Sequence, residues 1–475
     1  MQDNIFRKYD IRGKVGLGSS AEFDLDKTYD LGMALAYFFL KHRPEIKTVA
    51  IGMDGRSHSP IIKDALRDAM QDSGLDVVFI GVCPSPVLYF TLHNKIDNKN
   101  IDAGLMVTAS HNPKEYNGIK ICFNKKNVWG DQVQEIKELF KEKKRVLSGV
   151  KGSCCEQAVI PQYIQWLKKH FNNLVGMDLS VVVDCGNGVG GTIMPQLIEQ
   201  MEWKNIQTLF QEVDGDYPNH EADPVVYENM RFVKEALEKT DAQIGIGLDG
   251  DCDRMAPMTK NGELVTGDKL LAVYAKPILQ DNPGASIVCD IKASSGLLEI
   301  VENMGGKISL SPSGHSIVKK LMSEQGALLG GELSCHFFFA DRYFGYDDAF
   351  YSMMRLFEIL VKDKKSLQEL ISLFPKKIST PEMRIECADN KKKEVVQQVK
   401  LLFEKKPNVT LVTIDGVRAI MDYGWGILRV SNTQPAVSLR LESSTEEGLE
   451  KVKHDFYNAM SPHFDQDVLK EHMVI

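Results

Sequence analysis

Short apolar runs alternate with amphipathic stretches along most of the chain. Residues 24–42 carry apolar side chains at helical spacing, and Thr48-Val-Ala-Ile-Gly52 is a largely apolar run of the kind a buried strand needs. The pattern predicts a helix over 60–73, strands over 76–82 and 103–107, and a helix over 131–145 ending in a solvated charged run from Lys141 to Arg145. Residues 148–157 are small and polar and read as a linker. Strands over 179–183, 242–248 and 286–290, with a helix from Asp268, continue the rhythm. Strand, helix, strand in regular succession implies parallel sheets with helices on their faces. Three times a strand ends on an aspartate (Asp54, Asp184, Asp290) before a Gly- or Ser-bearing turn and a helix, a weak internal repeat of one α/β unit. Past a second linker at 375–381 the order changes to helix (391–404), several strands (409–441) and helix (445–460), an α+β pattern.

At 475 residues the chain exceeds what one hydrophobic core can organise. The pattern divides it at 1–152, 153–257, 258–374 and 375–475: three similar α/β domains with mixed, largely parallel sheets, then an α+β domain. Hydrophobic content of 43% and charged content of 26% are those of a globular protein. The net charge of −8 comes with no basic run or basic-aromatic patch, so no nucleic-acid partner is expected. The N-terminus lacks the apolar core of a signal peptide, and no stretch approaches the ~20 apolar residues of a membrane helix, so no membrane partner is expected. Nine scattered cysteines, without a C-x-x-C pair, fit the reduced thiols of a cytoplasm better than a disulfide framework or a zinc site.

The densest chemistry lies in Asp249-Gly-Asp-Cys-Asp-Arg254, directly after a predicted strand. If the segment stays extended, Asp249, Asp251 and Asp253 share one face, with Gly250 and Cys252 on the other. Three carboxylates on one face repel each other and ask for a cation, and all-oxygen donors suit Mg²⁺ or Ca²⁺. An EF-hand loop is excluded, because Arg254 and Lys260 stand where it needs its Gly and its Glu. The plain alternative is a solvated acidic turn.

Thr108-Ala-Ser-His-Asn-Pro113 follows the strand over 103–107 and presents Ser110 and His111 on a loop, where open α/β sheets hold ligands. The turn from Gly186 to Gly191 has the spacing of a dinucleotide fingerprint, with only Glu212 or Asp214 loosely placed as its acid, and such turns also arise from steric need alone. Near the C-terminus, Arg429, Ser431, Asn432 and Thr433 on one turn, with Arg440 beyond, supply a guanidinium fork, hydroxyls, an amide and backbone N–H groups, an anion cradle suited to phosphate.

Taken in order, these motifs resemble the α-D-phosphohexomutase superfamily over essentially the whole chain. Thr108–Pro113 looks like its phosphoserine loop, Asp249–Arg254 its metal loop, Gly331-Glu-Leu-Ser-Cys-His336 its sugar-binding loop, and Arg429-Val-Ser-Asn-Thr-Gln-Pro435 its phosphate-binding loop. Tyr9-Asp-Ile-Arg-Gly13, Leu333 and Phe344-Gly-Tyr-Asp-Asp348 look most like the phosphomannomutase/phosphoglucomutase branch; phosphoglucosamine mutases usually carry Gln where Leu333 stands. One departure is Cys335, where the family usually has Gly; if that position needs positive φ, a cysteine is strained there.

The resemblance implies an isomerase of carbohydrate metabolism and nucleotide-sugar biosynthesis whose domains surround a central cleft. A phosphoryl group on Ser110 passes to a hexose 1- or 6-phosphate, and the resulting 1,6-bisphosphate turns round and returns its other phosphoryl group to the serine. It implies one Mg²⁺ per chain, held by Ser110, Asp249, Asp251 and Asp253, with glucose or mannose 1,6-bisphosphate as activator. Arg12 and Arg254 are the expected charge stabilisers, His111 the group orienting the serine, and Lys120 and His336 the candidate general acid and base, the lysine needing a lowered pKa. Tyr9, Lys292, His315, Glu332, Ser334, His336, Arg429, Ser431, Asn432 and Thr433 are the expected substrate contacts, in a monomer or homodimer. The domain beyond about residue 376 is expected to move as a lid. The competing readings are a phosphoglucosamine mutase, a metal-dependent sugar phosphatase that lets water attack the phosphoserine, a non-catalytic sugar-phosphate sensor and a nicotinamide-dependent oxidoreductase.

Overall fold

The short apolar runs become the inner strands of the sheets, and the amphipathic stretches become the helices that cover them. A computed structural model describes residues 1–18, 20–431 and 436–473. The first sheet is built on Thr48–Met53, buried except at Met53, and the fully buried Ala103–Val107, which run parallel to each other. Asp76–Val82 extends it in parallel on one side; Tyr116–Phe123 and then Ile11–Gly16 extend it antiparallel on the other. Helices Thr28–His42, Ser59–Asp72 and Asp131–Lys141 bury Leu35, Phe38, Phe39, Ile62, Leu66 and Ile136 against it in one core. Residues 154–156, expected within a linker, form the short strand Cys154–Glu156, which pairs in parallel with Asp76–Val82 through backbone groups that side-chain composition does not reveal. The helix expected over 131–145 stops at Lys141, and Lys143 adopts a left-handed conformation.

A second sheet has the order Ile206–Leu209, Val181–Asp184, Ile244–Leu248, Met255–Thr259, with only the last strand antiparallel. Its glycine-rich turn leads through a short 3₁₀ turn, Val189–Thr192, into the helix Met194–Gln200. A Cβ on Gly188 would lie 2.8 Å from Gly250 O, and one on Gly191 only 1.6 Å from Gln211 O. Close backbone approach therefore accounts for the glycine spacing that mimics a dinucleotide fingerprint.

The chain divides into two compact units, residues 1–270 with 334–370 and residues 271–333 with 371–475. In the first, helix Ala349–Asp363 is capped by the Asp348 side chain, which accepts from Tyr351 N at 3.0 Å. In the second, Ser286–Asp290 pairs in parallel with Lys307–Ser311 and Leu329–Gly331. The C-terminal sheet is antiparallel throughout, centred on Gly424–Val430 and Ala436–Ser443, with Lys392–Glu404 and Glu446–Met460 packed on its core. That is the α+β pattern expected. Among the described residues no helix is long and apolar enough to cross a membrane.

Candidate active site

Ser110 sits where the strand Ala103–Val107 has run out and the chain must turn before Tyr116–Phe123. It adopts φ +51°, the left-handed region that non-glycine residues seldom occupy and that gathers at functional sites. Its Oγ, almost wholly buried, donates to Asp249 Oδ2 at 2.8 Å and lies 3.1 Å from His111 Nδ1. Burial, then the nearby cations Arg254 and Arg12, hold the His111 pKa well below the ordinary histidine value, so its ring is neutral.

The three aspartates converge, by a route other than the one expected. Residues 249–253 form a turn rather than an extended strand: Cys252 N donates to Asp249 O at 3.0 Å, Arg254 N donates to Asp249 Oδ1 at 3.1 Å, and Cys252 takes φ +57°. Local backbone closure outweighs the alternation an extended segment would give. One oxygen from each of Asp249, Asp251 and Asp253 lies within 4.8 Å of the others, and all three residues are buried. Burial and the neighbouring Asp253 push the Asp249 carboxyl up to about 7, against the pull of Arg254. Asp251 Oδ1 is buried without a hydrogen-bond partner, a state that costs about 1–3 kcal/mol unless something fills it. Three oxygen donors and an orphaned carboxylate oxygen fit a small hard cation.

Cations already crowd this nest. Lys120 Nζ lies 2.5 Å from both Asp251 Oδ2 and Asp253 Oδ2, and Ser85 Oγ donates to Asp251 Oδ2 at 2.5 Å. Burial disfavours the lysine's charge, but Asp251 and Asp253 outweigh it and raise the Lys120 pKa well above the usual value, the reverse of the lowering expected. Arg254 donates to Asp249 Oδ2 at 3.0 Å and Asp223 Oδ1 at 3.1 Å, while its Nη2 is buried without a partner. Arg12 reaches the serine loop, donating to Ala109 O at 3.1 Å and Asn112 Oδ1 at 3.0 Å. His336 Nδ1 stands 3.1 Å from Asp347 Oδ2 and 3.6 Å from Asp253 Oδ1. So Arg12, Ser110, His111, Lys120, Asp249, Asp251, Asp253, Arg254 and His336, read from four separate stretches, form one contiguous cluster. Tyr9 is half-buried beneath Lys8, whose Nζ is 5.6 Å from the ring centroid, and Ser334 is half-buried two residues before His336.

A second group forms within residues 271–333 and 371–475. Lys292 Nζ donates to Glu382 Oε2 at 3.0 Å, and Ser438 Oγ donates to Glu382 Oε1 at 2.5 Å. Burial would raise the Glu382 carboxyl, but Lys292 and Ser438 hold it down at about 2. Arg429 Nε and Ser313 N both donate to Asp415 Oδ2, at 2.9 and 3.1 Å. Glu332 Oε1 accepts from Gly314 N at 2.6 Å, and His315 opens the helix His315–Gln325. Ser431 is nearly buried and its carbonyl accepts from Lys392 Nζ at 2.8 Å; Asn432 and Thr433 lie outside the described residues. Cys335 takes φ +66°, so the position does require a left-handed backbone.

Sequence reasoning missed Arg56, Tyr217, Asp347, Asp223, Ser85, Glu382 and Asp415. For Arg56 a signal existed: Asp54-Gly55-Arg56 follows a strand end, as Ser110 does. Asp223, Glu382 and Asp415 reach their partners only through tertiary contacts.

Family models match the chain in four consecutive segments. They are described as phosphoglucomutase/phosphomannomutase alpha/beta/alpha domain I over residues 3–146, domain II over 161–262, domain III over 266–377 and the C-terminal domain over 382–459. A Pseudomonas aeruginosa protein named phosphomannomutase/phosphoglucomutase is 39% identical over 458 residues, covering 96% of this chain and 95% of that protein. A Neisseria gonorrhoeae protein named phosphoglucomutase is 34% identical over 455 residues, covering 95% and 96%. The crystal structure of a phosphoglucomutase/phosphomannomutase family protein from Burkholderia thailandensis superposes with a TM-score of 0.88 at 33% identity, covering 98% of this chain and 99% of that one.

Proposed function

The chain belongs to the phosphoglucomutase/phosphomannomutase family, and on that premise we propose that it interconverts hexose 1-phosphate and hexose 6-phosphate, of mannose or glucose or both, through a phosphoserine at Ser110. The observation that carries this reading is the Ser110 hydroxyl, 2.8 Å from a buried aspartate nest and backed by three cationic side chains.

In the forward direction a phosphoryl group on Ser110 Oγ passes to the free hydroxyl of the sugar phosphate. The bond to Oγ breaks as the bond to the sugar oxygen forms; the sugar hydroxyl proton leaves for a base, and Oγ, which keeps the bonding pair, takes a proton to become the serine hydroxyl again. His336 suits the role of base, because Asp347 Oδ2, 3.1 Å from its Nδ1, orients the ring beside the aspartate nest. Lys120 is held as an ammonium by Asp251 and Asp253 and contributes charge rather than proton exchange. The partnerless Arg254 Nη2 and the Arg12 guanidinium offset charge on the transferring oxygens. His111, neutral and 3.1 Å from Oγ, orients the serine. Asp249, Asp251 and Asp253, with Ser110, would hold one Mg²⁺. When bound, that ion supplies neutralisation of phosphoryl oxygen charge.

The non-reacting phosphate is assigned to Lys292, His315, Arg429, Ser431, Asn432 and Thr433, and the sugar hydroxyls to Glu332 and Ser334, with Tyr9 a further contact. Glu382 and Asp415, which pair with Lys292 and Arg429, keep those cations compensated until a phosphate arrives. A hexose 1,6-bisphosphate would prime Ser110 as activator. Nine scattered cysteines, with no C-x-x-C pair, support a cytoplasmic setting.

The test is a coupled assay on mannose 1-phosphate and glucose 1-phosphate with Mg²⁺ and glucose 1,6-bisphosphate, run on the wild type and Ser110→Ala. Ser110→Ala is expected to lose at least about 10³-fold in turnover while keeping its thermal midpoint. Wild-type turnover in that variant overturns the proposal. Phosphate release without isomer in the wild type makes the protein a phosphatase.

A further inference from the structure

We propose that Arg56 is the positioning residue for Ser110, acting through the backbone of the serine loop. This rests on the phosphoserine reading and deepens it. The Arg56 side chain is wholly buried, and each of its five N–H groups is engaged. Nε donates to Asp54 Oδ2 at 3.1 Å. Nη1 donates to Pro113 O at 2.7 Å and Tyr116 O at 3.1 Å; Nη2 donates to Ser110 O at 2.8 Å and Asn112 O at 2.6 Å. One guanidinium thus gathers three carbonyls of the serine loop and that of Tyr116, where the next strand begins.

The Ser110 carbonyl is where this matters for the reaction. Ser110 is held at φ +51°, and fixing its carbonyl fixes the next peptide plane, which in turn sets where Oγ points. The aspartate turn abuts the same atom: a Cβ on Gly250 would lie 2.5 Å from Ser110 O. The guanidinium is itself anchored. Its backbone N–H and Nε both bond Asp54, Asp54 Oδ1 accepts from Ser59 Oγ at 2.6 Å, and Ser59 Oγ accepts from Asn117 Nδ2 at 2.9 Å. The Tyr217 ring, with its centroid 5.1 Å from the guanidinium carbon, packs against the guanidinium. A lysine cannot substitute, because three donors on one nitrogen cannot span four carbonyls in a planar fork.

Arg56 has no hydrogen bond to Asp249, Lys120, Arg254 or His336 among the described residues. Its loss would leave the charged cluster in place and mis-aim the oxygen. Misplacement of that kind lowers kcat and spares KM.

The experiment measures kcat and KM for glucose 1-phosphate, with Mg²⁺ and glucose 1,6-bisphosphate, in wild type, Arg56→Lys, Asp54→Asn and Ser110→Ala, with circular dichroism as the check on folding. Arg56→Lys is expected to lose about 100-fold in kcat with KM within about threefold of wild type. Its Ser110 should also phosphorylate more slowly with bisphosphate, as read by intact mass. If Arg56→Lys does not fold, Asp54→Asn carries the test: it keeps the guanidinium but slackens its anchor, and should lose about tenfold in kcat at unchanged KM. Wild-type kcat in the folded variant, or a loss borne entirely by KM, overturns the positioning role. An inactive Ser110→Ala beside a fully active Arg56→Lys removes this inference alone, whereas an active Ser110→Ala removes the phosphoserine reading beneath it.

Discussion

Cys335 is a buried, non-glycine residue at φ +66°, and Ser110 and Cys252 share that backbone region at +51° and +57°. Each is held there at a conformational cost of about 1–2 kcal/mol, which the surrounding packing must offset. At position 335 glycine removes the strain but also the buried thiol, and it frees the unfolded chain, whereas alanine removes the thiol and keeps the strain. Cys335→Gly is therefore expected to destabilise less than Cys335→Ala, by about 1 kcal/mol, the reverse of ordinary propensity. Urea unfolding of both variants checks this, and Ala the milder of the two removes the strain account. The types of the site residues were legible at this scale: a serine on a strand-end loop and three alternating aspartates announce their chemistry. The protonation of Lys120 was not. It depends on Asp251 and Asp253, which lie 131 and 133 residues away in the chain.

Among the elements, the strand Ile244–Leu248 was recognisable from its apolar run, but the conformation that follows it was not. A period-two reading of Asp249, Asp251 and Asp253 placed them on one face of a strand; they converge instead through a turn closed by hydrogen bonds back to Asp249. The glycine-rich turn of residues 186–191 braces that turn from behind, with Val189 N donating to Gly250 O at 3.1 Å. Gly188→Ala would place a methyl group 2.8 Å from Gly250 O, a contact between backbones that cannot yield by moving a side chain. It is expected to cost about 1–3 kcal/mol of stability and to weaken Mg²⁺ binding by titration calorimetry. Unchanged affinity would separate the glycine turn from the aspartate turn.

Within the second unit, the C-terminal domain grips the strand end of residues 290–296 through buried charge. Arg418 Nη1 donates to Ile291 O at 2.7 Å and Ala293 O at 3.1 Å, with its guanidinium carbon 3.7 Å from the centroid of the Trp425 ring. Arg440 Nη1 donates to Lys292 O, and Glu442 Oε1 accepts from Ser295 N at 2.9 Å. Independent movement of residues 376–475, the lid expected from the sequence, requires these bonds to break. Glu382 gives this junction a pH signature. Its carboxyl sits at about 2 against the ordinary 4.5, so its contribution is fully present above pH 4.5 and is lost as the pH falls towards 2. The shift corresponds to at most about 3 kcal/mol, less whatever solvent screens at a side chain 22% exposed. Glu382→Gln should therefore be less stable than wild type near neutrality, with the gap narrowing by about 2 kcal/mol or less between about pH 6 and about pH 3. A gap that does not narrow would sink this assignment.

By itself the sequence determined the α/β rhythm, the change to α+β near residue 375, and the residue types of the candidate site, because periodicity and local motifs encode them within a few turns of chain. The tertiary structure decided the partners. Arg56 meets the carbonyls of Ser110 to Tyr116, Lys120 meets the aspartates, Asp347 meets His336 and Glu382 meets Lys292. In all but His336–Asp347 the partners lie more than fifty residues apart, and in every pair the energy depends on distance and burial in the folded chain, which no local pattern records.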